Sequence, residues 1–544
     1  MLRITEIKLP LITSAKTGHS DAEIKAALVK KLAINAADIV SFSIFKRGVD
    51  ARQSRAILFV YSLDVVVSGE AKLLAKFAKD PHVKPAPDTD YKFVANNLSS
   101  AKARPVIVGF GPAGIFAALI LAQSGFKPIV LERGKAVRER TKDTWDFWRK
   151  NTLNPESNVQ FGEGGAGTFS DGKLWSQIKD PKHYGRKVLK EFVAAGAPPE
   201  ILYVSHPHIG TFRLVGMVET MRKTIESLGG EISFESRVDD IEIEAGEIQG
   251  VTLASGERIS TNHLVLAVGH SARDTFEMIH AKGIFVEAKP FSIGFRIEHP
   301  QSLIDRARYG NSYSEDLLSK LGSAEYKLVH HASNGRSVYS FCMCPGGTVV
   351  AAASEAGRVV TNGMSQYSRN ERNANAGIVV GITPEIDYPD NPLAGMQLQR
   401  DLESKAYALG GSNYAAPGQL IGDFLANKAS TQFGEVLPSY TPSVNLTNLN
   451  DALPTFAIDA IREAIPQFAK QVRGYDLHDG LLTGVETRTS APIRIKRDDE
   501  TLQSINTKGL YPCGEGAGYA GGILSAGVDG IRIAEAVALN IAND

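Results

Sequence analysis

The chain has 544 residues, and its 60 Lys and Arg are balanced by 60 Asp and Glu, so its formal net charge at pH 7 is zero. This balance argues against a strongly basic nucleic-acid-binding protein and against a polyacidic tail protein. With 43% hydrophobic and 22% charged residues, the composition is that of a folded globular protein. Three Cys cannot form a disulfide framework in a chain of this length, which indicates a reducing compartment, and we expect a cytoplasmic protein.

Residues 1–98 predict a separate small α+β domain. Alternating apolar residues at its start predict a strand, and helical spacing follows from Asp21 to Leu32, where Ser20 and Glu23 have the spacing of a capping box. Three prolines between residues 81 and 87 then predict a linker. The motifs that carry chemistry all come after this linker.

A complete strand–helix–strand unit is predicted between Pro105 and Glu132, with a Gly-x-Gly-x-x-Gly string at its first turn. In this motif Gly109 permits a tight turn, Gly111 lets the backbone approach a pyrophosphate, and Gly114 permits close packing of the helix on the strand. Glu132 can accept hydrogen bonds from ribose hydroxyls and would repel a 2′-phosphate, which predicts FAD or NAD. A glycine-rich turn in another kind of α/β protein is disfavoured, because the strand, the helix and the acid all stand at the expected places.

The apolar run from Val106 to Leu121 is almost long enough to span a membrane. Three glycines and Pro112 interrupt its first half, however, and Gly125 follows it. A buried strand, a glycine turn and a buried helix explain the run better than a membrane span does. We therefore expect no membrane association.

Two further glycine strings match the same pattern without the same context. The string at residues 162–167 follows no predicted strand and leads into a loop. The string at residues 514–522 follows a strand and precedes an apolar helix, but no strand with an acidic end comes after it. Neither predicts a second dinucleotide site, so a dedicated nicotinamide domain is not indicated.

The rest of the chain completes the predicted architecture. A helix at residues 213–228 and the strands that follow it, up to 263–268, extend the nucleotide-binding unit. We predict an α/β fold with a Rossmann-like FAD/NAD(P)-binding domain built from residues 99–283 and 476–544. An α+β substrate or cap domain is predicted as an insertion at residues 284–475, beside the small N-terminal α+β domain.

The assembled motifs resemble the FAD-dependent oxidoreductases of the glutathione-reductase-type flavin fold, and among them the bacterial FAD-dependent dehydrogenase family. The resemblance covers residues from about 100 to 544. It is carried by VIVGFGPAGIFAALILAQSGFKPIVLERG (106–134), NVQFGEGGAGTFSDGKL (158–174), LVLAVGHSARDTF (264–276), FSIGFRIEHP (291–300), FCMCPGG (341–347), GVETRTSAPIRI (484–495) and GLYPCGEGAGYAGGILSAGVDGI (509–531). These strings are specific for a flavin fold and carry little information about the substrate.

The resemblance implies FAD as the cofactor and assigns it a set of contact residues. In the family, a glycine pair lies against the cofactor soon after the ribose acid, whereas about thirty residues intervene before the matching pair here. An Asp is usual where this chain has Glu515, whose carboxylate is the same group on a longer side chain. The implied FAD-binding residues are Gly109, Gly111, Pro112, Ala113, Gly114, Glu132, Arg133, Gly164, Gly165, Val238, Ala267, Gly269, Gly514, Glu515, Gly521, Gly522 and Ile523.

The resemblance also implies hydride or electron transfer between the flavin and a small organic substrate, with NAD(P)H as a candidate electron donor. The candidate catalytic residues within the resembling strings are Lys173, Arg296, His299 and Arg488. An Arg or Lys can bind a substrate carboxylate, and a His can move protons. For each of them, an ion pair or a hydrogen bond that stabilises a turn is the alternative interpretation.

The Cys-Met-Cys sequence at Cys342 and Cys344 is a candidate redox motif. A redox dithiol usually has the spacing Cys-x-x-Cys at the start of a helix, whereas these residues lie in a predicted strand. In a strand both side chains point to the same face, but a strain-free disulfide is not expected between them. The sequence therefore favours reduced, half-buried cysteines over a redox pair.

Two alternative functions remain open at this stage. One is a flavoenzyme that acts on RNA through the N-terminal domain, although the neutral net charge makes nucleic acid a disfavoured partner. The other is a non-catalytic flavin-binding redox sensor. We expect no metal site, because the histidine pairs at residues 206 and 208 and at residues 330 and 331 lack further ligands at supporting spacing.

Overall fold

A four-stranded antiparallel sheet with two helices forms the beginning of the chain. The computed structural model describes residues 1–11, 18–52, 56–95, 104–310 and 314–543, so the domain boundary predicted at residues 98 and 99 lies outside the described residues. The strand order is β2-β3-β1-β4. The elements are β1 (Leu2–Pro10), α1 (Asp21–Leu32), β2 (Ile39–Asp50), β3 (Leu58–Val67), α2 (Glu70–Lys76) and β4 (Val83–Pro85).

The predicted capping box of α1 is confirmed. The backbone N–H of Glu23 donates to Ser20 Oγ at 3.3 Å, and the backbone N–H of Ser20 donates to Glu23 Oε2 at 2.7 Å. Two N–H groups at the helix start are thereby satisfied without water. The apolar face of α1, with Ile24, Leu28 and Leu32 fully buried, then packs into the core of the N-terminal sheet.

A five-stranded parallel sheet follows, in the order β23-β11-β5-β6-β7, in which β23 (Leu510–Pro512) comes from the last part of the chain. The first part of this region also includes a three-stranded antiparallel sheet, β10-β9-β8, between β7 and β11. The elements are β5 (Val106–Val108), α3 (Pro112–Gln123), β6 (Ile129–Leu131), α4 (Val137–Lys150), α5 (Tyr184–Ala194), α6 (Thr211–Ser227), β7 (Glu231–Ser233), β8 (Val238–Glu244), β9 (Glu247–Leu253), β10 (Arg258–Ser260), β11 (Leu264–Leu266), α7 (Arg273–Ala281) and β12 (Val286–Ala288).

Burial on both faces explains why the central strand β5 is uniformly apolar: all three of its residues are buried. The apolar run that follows it is α3, in which every residue from Ala113 to Ala122 is buried. A helix that is apolar on all sides requires burial on all sides, and α3 lies under the sheet and against the last helix of the chain. Among the described residues, no helix is both long and apolar enough to cross a membrane.

The third region contains a seven-stranded sheet in the order β14-β15-β18-β13-β21-β19-β20. Its pairs are antiparallel except for the parallel edge pair of β19 and β20. The elements are β13 (Phe291–Pro300), α8 (Gln301–Tyr309), α9 (Glu315–Leu321), β14 (Val329–His331), β15 (Ser337–Cys344), β16 (Gly347–Ala351), β17 (Thr361–Ser365), β18 (Asn373–Ile382), α10 (Pro384–Asp387), α11 (Ala394–Leu409), β19 (Ala416–Leu420), α12 (Ile421–Leu425), β20 (Val444–Leu446), α13 (Thr455–Ala469) and β21 (Leu481–Glu486).

The chain then returns to the parallel sheet. The remaining elements are β22 (Ile493–Ile495), β23 (Leu510–Pro512) and α14 (Ile523–Asn543). Strand β22 pairs with β12, and β23 pairs with β11. Strand β21 lies beyond the boundary predicted at residue 475, yet it pairs with β13 and β19 in the seven-stranded sheet. The mixed α/β class is as predicted, and the division into domains stays a prediction.

Candidate functional site

A cavity of about 500 Å³ lies at the carboxyl ends of the parallel strands β5, β6 and β11. In open parallel sheets this edge is where ligands bind. One end of the cavity is lined by the loop after β5, and the other by Cys342, Asn362 and Glu486 from the antiparallel sheets. The cavity therefore joins the predicted nucleotide loop to the sheets of the third region.

Two glycines make the turn after β5 possible. Gly109 has φ +96°, and a methyl group added to it would lie 2.4 Å from the carbonyl oxygen of Ala267, the residue after β11. A methyl group added to Gly114 would lie 2.0 Å from the carbonyl oxygen of Gly109. Both positions exclude any side chain, so the loop can bring the N-terminus of α3 directly to the cavity.

Glu132, predicted to bind a ribose, is 4% exposed and holds the loop in place. Its carboxylate accepts hydrogen bonds from the backbone N–H of Phe110 at 2.8 Å, of Gly134 at 2.9 Å and of Gly162 at 2.9 Å. A carboxylate has about four acceptor positions, so the side chain can still accept a bond from a ribose hydroxyl. Sequence reasoning did not reveal these three backbone bonds.

The glycine pair at Gly164 and Gly165 contacts the loop despite the insertion before it. The N–H of Gly164 donates to the carbonyl oxygen of Phe110 at 2.8 Å, and a methyl group added to Gly165 would lie 2.9 Å from the Cα of Gly111. The intervening residues include α4, whose Arg140 donates to backbone carbonyls of residues 158, 159, 162 and 163. Arg140, within the insertion, thus fixes the backbone that leads to the glycine pair.

Backbone without side chains also lines the cavity at the start of α14. Methyl groups added to Gly521 or Gly522 would meet no protein atom within 4 Å. The segment before them is fixed by Asp529, which accepts the N–H of Gly514 at 2.8 Å and pairs with Arg497 at 2.6 Å. The elongated, glycine-lined cavity and the two helix N-termini fit FAD, with its pyrophosphate and its flavin ring.

Glu515 is partly buried at the cavity wall. Burial raises the pKa of its carboxyl group to about 7, and the ammonium group of Lys289 opposes part of that rise. The carboxyl group therefore changes its charge near neutral pH at the place where the family pattern implies cofactor contact.

We expect the stability of the FAD-free protein to fall between about pH 5 and pH 8 relative to Glu515→Gln. The folded pKa of about 7 exceeds the ordinary value of 4.5. The stabilising contribution of the proton is therefore complete below pH 4.5 and is lost as the pH rises through about 7. After allowance for solvent at the cavity, the expected change is about 2 kcal/mol in the free energy of unfolding, measured by denaturant titration. Parallel pH profiles for the two proteins would contradict this assignment.

Lys173 lies at the cavity wall. Its ammonium group donates to the carbonyl oxygen of Met343, and its nearest carboxylate oxygen, on Asp171, is 4.0 Å away. Asp171 itself pairs with Arg369. Because an ammonium group has three donors, Lys173 can donate further bonds to a ligand in the cavity.

Arg488 also lines the cavity, but its guanidinium group is held by a buried ion network. It donates to both oxygens of Glu403, at 3.0 and 2.9 Å, and to Ser354 Oγ at 2.6 Å. Arg273 binds the same carboxylate at 2.7 and 3.0 Å. Although burial alone would raise it, the pKa of Glu403 is lowered by Arg273 and Arg488. The carboxylate therefore stays charged between two cations.

Arg296 and His299 are placed differently from the other two candidates. Arg296 is fully buried behind the cavity wall, where it forms a bidentate pair with Glu486 at 2.8 and 3.0 Å. His299 is fully buried in the third region, and its Nε2 pairs with the carbonyl oxygen of Tyr475 at 2.7 Å. Burial lowers the pKa of His299 to about 4, so the ring is neutral at neutral pH. Neither side chain lines the cavity.

Most of the predicted cofactor residues are brought together by the fold. Those that line the cavity are Gly109, Gly111, Pro112, Ala113, Glu132, Arg133, Gly165, Val238, Ala267, Gly269, Glu515, Gly521, Gly522 and Ile523. Gly114, Gly164 and Gly514 lie one layer behind and shape the backbone of the wall. Sequence reasoning missed Asn362, which also lines the cavity and which follows no recognisable motif.

Comparison with known proteins shows related sequences. Residues 290–489 match the family described as "FAD-dependent protein, C-terminal domain-like", and residues 1–66 match a domain of unknown function. A protein of Clostridium beijerinckii, described as uncharacterized, is 48% identical over 509 residues, which cover 93% of this chain and 94% of its own.

Solved structures are similar only at a low level. Glycine oxidase from Bacillus cereus is 11% identical with a TM-score of 0.34, over 80% of this chain and 94% of its own. L-proline dehydrogenase from P. horikoshii is 12% identical with a TM-score of 0.33, over 80% of this chain and 92% of its own. L-amino acid deaminase from Proteus myxofaciens is 12% identical with a TM-score of 0.33, over 84% of this chain and 94% of its own. Similarity at this level carries no argument about activity. The match over residues 290–489 and the Clostridium relative show the family and the cofactor instead. The chain belongs to the family of that relative, carries the FAD-dependent C-terminal domain, and has FAD as its cofactor.

Proposed function

We propose that the protein is a FAD-dependent oxidoreductase that transfers hydride or electrons between bound FAD and a small organic substrate. Bound FAD supplies two-electron redox chemistry at its ring. One observation carries the proposal: the cavity does not end at the nucleotide loop but continues to polar side chains of the antiparallel sheets, among them Lys173 and Asn362. Polar side chains beside the place of the flavin ring are what a substrate that exchanges electrons with the ring would contact.

The chain's own residues divide this work. Gly111 and the N-terminus of α3 receive the pyrophosphate, and Glu132 orients the ribose while it fixes the loop. The N-terminus of α14 presents N–H groups and a positive dipole end, which would stabilise negative charge on a reduced flavin. Lys173 would bind an anionic group of the substrate, as a mobile ammonium group with donors to spare.

The test is anaerobic reduction of the FAD-loaded protein by NADH, by NADPH and by a panel of small amines and 2-hydroxy or 2-amino acids. We expect at least one donor to bleach the oxidised flavin bands faster than it bleaches free FAD. Lys173→Met should raise the donor concentration needed for half-maximal reduction by a carboxylate donor about tenfold, and should change little with an uncharged donor.

One outcome would decide against the proposed function, and a second would decide only against the role of Lys173. FAD that is bound stoichiometrically, is reduced by dithionite, and resists every donor in the panel would favour the non-catalytic redox sensor. Equal effects of Lys173→Met on charged and uncharged donors would remove Lys173 from the substrate site while leaving the oxidoreductase function in place.

No contact among the described residues favours the alternative of a flavoenzyme that acts on RNA. In the N-terminal sheet, the ring of Phe45 on β2 is covered by the guanidinium groups of Arg3, at 3.4 Å, and of Arg186, at 5.2 Å. The next part of β2 pairs with the segment around Val204, since Arg47 N–H donates to the carbonyl oxygen of Tyr203 at 2.6 Å. An RNA-binding sheet instead needs open aromatic faces on which bases can stack.

A further inference from the structure

The two cysteines of β15 do not lie in a regular strand. Against β18, Phe341 pairs with Gly377 and Cys344 with Asn375, so the register shifts between them and one residue is extra. Cys342 sits in this bulge with φ +43°. Bulges re-aim side chains, and they recur next to active sites. The sequence, interpreted as a regular strand, gave no sign of this geometry.

The bulge places the two thiols in different surroundings but in contact. Cys342 is half-buried and lines the cavity, whereas Cys344 is fully buried behind it. Cys344 Sγ lies 3.4 Å from the carbonyl oxygen of Cys342. One thiol therefore faces the cavity, and the second lies behind it with its sulfur against the backbone of the first. This is the arrangement of an attacking sulfur and a resolving sulfur.

Two cations contact the backbone next to the cavity-facing thiol. Arg296 Nη1 donates to the carbonyl oxygen of Cys342 at 2.9 Å, and Lys173 contacts the carbonyl oxygen of the next residue, Met343. A hydrogen bond from Cys344 and, against the effect of burial, the charges of Arg296 and Lys173 lower the pKa of Cys342. The same hydrogen bond and burial raise the pKa of Cys344. These directions favour loss of the proton from Cys342 before Cys344, the order in which a disulfide forms between an attacking and a resolving sulfur.

We propose that Cys342 and Cys344 are a redox-active pair that exchanges two electrons with the FAD bound in the same cavity. This inference rests on the proposed redox function of that FAD. The proposal gives Arg296 a positioning role. From behind the cavity wall, Arg296 donates a hydrogen bond to the Cys342 carbonyl oxygen and places its positive charge near the Cys342 thiol. The proposal also explains why a fully buried Arg296–Glu486 pair stands directly behind the bulge.

The exchange balances without a further reagent. A sulfur–sulfur bond forms between the Cys342 thiolate and the Cys344 thiol, and the Cys344 S–H bond breaks. The two electrons and the one proton that are released pass to oxidised FAD, giving the reduced FAD anion. The reverse reaction reduces the disulfide and regenerates the thiolate and the thiol.

The test counts electrons in the FAD-loaded protein after oxidation with diamide and removal of the excess. Anaerobic titration with dithionite should consume about four electrons per FAD, about two for the flavin and about two for the disulfide. Cys342→Ser and Cys344→Ser should each consume about two. Met343→Leu keeps the volume and both thiols, and should still consume about four.

A second measurement does not depend on any variant. After diamide oxidation and denaturation, Cys342 and Cys344 of the wild-type protein should resist alkylation and appear in one peptide lighter by two hydrogens. Cys513, which is fully buried at another part of the cavity wall, should alkylate fully and serve as the internal control.

Either of two results would overturn the inference: about two electrons per FAD in the oxidised wild-type protein, or full alkylation of all three cysteines after oxidation. Because dithionite reduces the flavin whatever its natural donor, these results would leave the proposed oxidoreductase function standing. Conversely, about four electrons per FAD together with no reduction by any donor of the panel would support the pair and count against that function.

Discussion

Gly111→Ala and Gly111→Val are expected to weaken FAD binding in a graded way, with the Val variant losing about 100-fold or more in affinity. Gly111 has φ −79°, which any residue adopts, and a methyl group added there would meet only the Cα of Gly165, at 3.6 Å. An Ala at this position therefore leaves the fold unstrained. Its side chain would occupy the space through which the backbone approaches the pyrophosphate, and a 100-fold loss corresponds to about 2.7 kcal/mol.

The measurement is a fluorescence titration of the FAD-free protein with FAD, accompanied by a circular dichroism spectrum of each variant. Gly216→Ala is the matched control, because Gly216 is exposed on α6 and an added methyl group would meet no atom within 4 Å. It should bind FAD like the wild type. Unchanged FAD affinity in a folded Gly111→Val protein would remove this loop from the cofactor site.

Glu403→Gln is expected to lower the free energy of unfolding by about 3 to 5 kcal/mol. The carboxylate is fully buried and accepts hydrogen bonds from both Arg273 and Arg488. Its neutral replacement would leave Glu355, which is partly exposed, as the remaining counter-ion of the two buried guanidinium groups, and breaking a buried ion pair costs several kcal/mol. Because Arg488 lines the cavity, the loss should be accompanied by weaker FAD binding.

Denaturant unfolding of the FAD-free protein isolates the stability effect from the effect on binding. Glu277→Gln is the control, since Glu277 is about half exposed and pairs with Arg400 at the surface. It should cost no more than about 1 kcal/mol. If the two variants cost the same, the buried network would not be the source of stability that its geometry indicates.

Sequence reasoning succeeded where the determinants are local. The strand, glycine turn, helix and acid between Pro105 and Glu132 are consecutive in the chain, and each residue type has one physical reason to stand where it does. The predicted helix starting at residue 523 is α14, and the strand predicted at Ser337–Cys344 is β15. Periodicity and turn residues suffice for such elements.

Sequence reasoning failed where residues that contact each other are distant in the chain. Glu132 was predicted as a ribose ligand from its place after β6, but one of its three backbone bonds goes to Gly162, which no short pattern connects to it. The interior strand β18 was not predicted, because its sequence NANAGIVVGI is buried on both faces and so does not alternate between apolar and polar residues. Its burial depends on neighbours that come from β13 and β15.

The candidate catalytic residues show the same limit. Lys173, Arg296, His299 and Arg488 were chosen by residue type, and residue type does not distinguish a side chain that lines a cavity from one that lies behind its wall. Cys342 was visible in the sequence as half of Cys-Met-Cys. Its access to the cavity depends on a bulge that is defined only by pairing with β18.

A crystal structure of the FAD-loaded protein would test the central claim most directly. The account predicts FAD in the cavity at the carboxyl ends of β5, β6 and β11, with the pyrophosphate against Gly111 and the N-terminus of α3. It predicts the flavin ring at the opposite end, beside Gly522 and Cys342. FAD bound outside this cavity, or FAD in the reverse orientation with its ring at Glu132, would contradict the account.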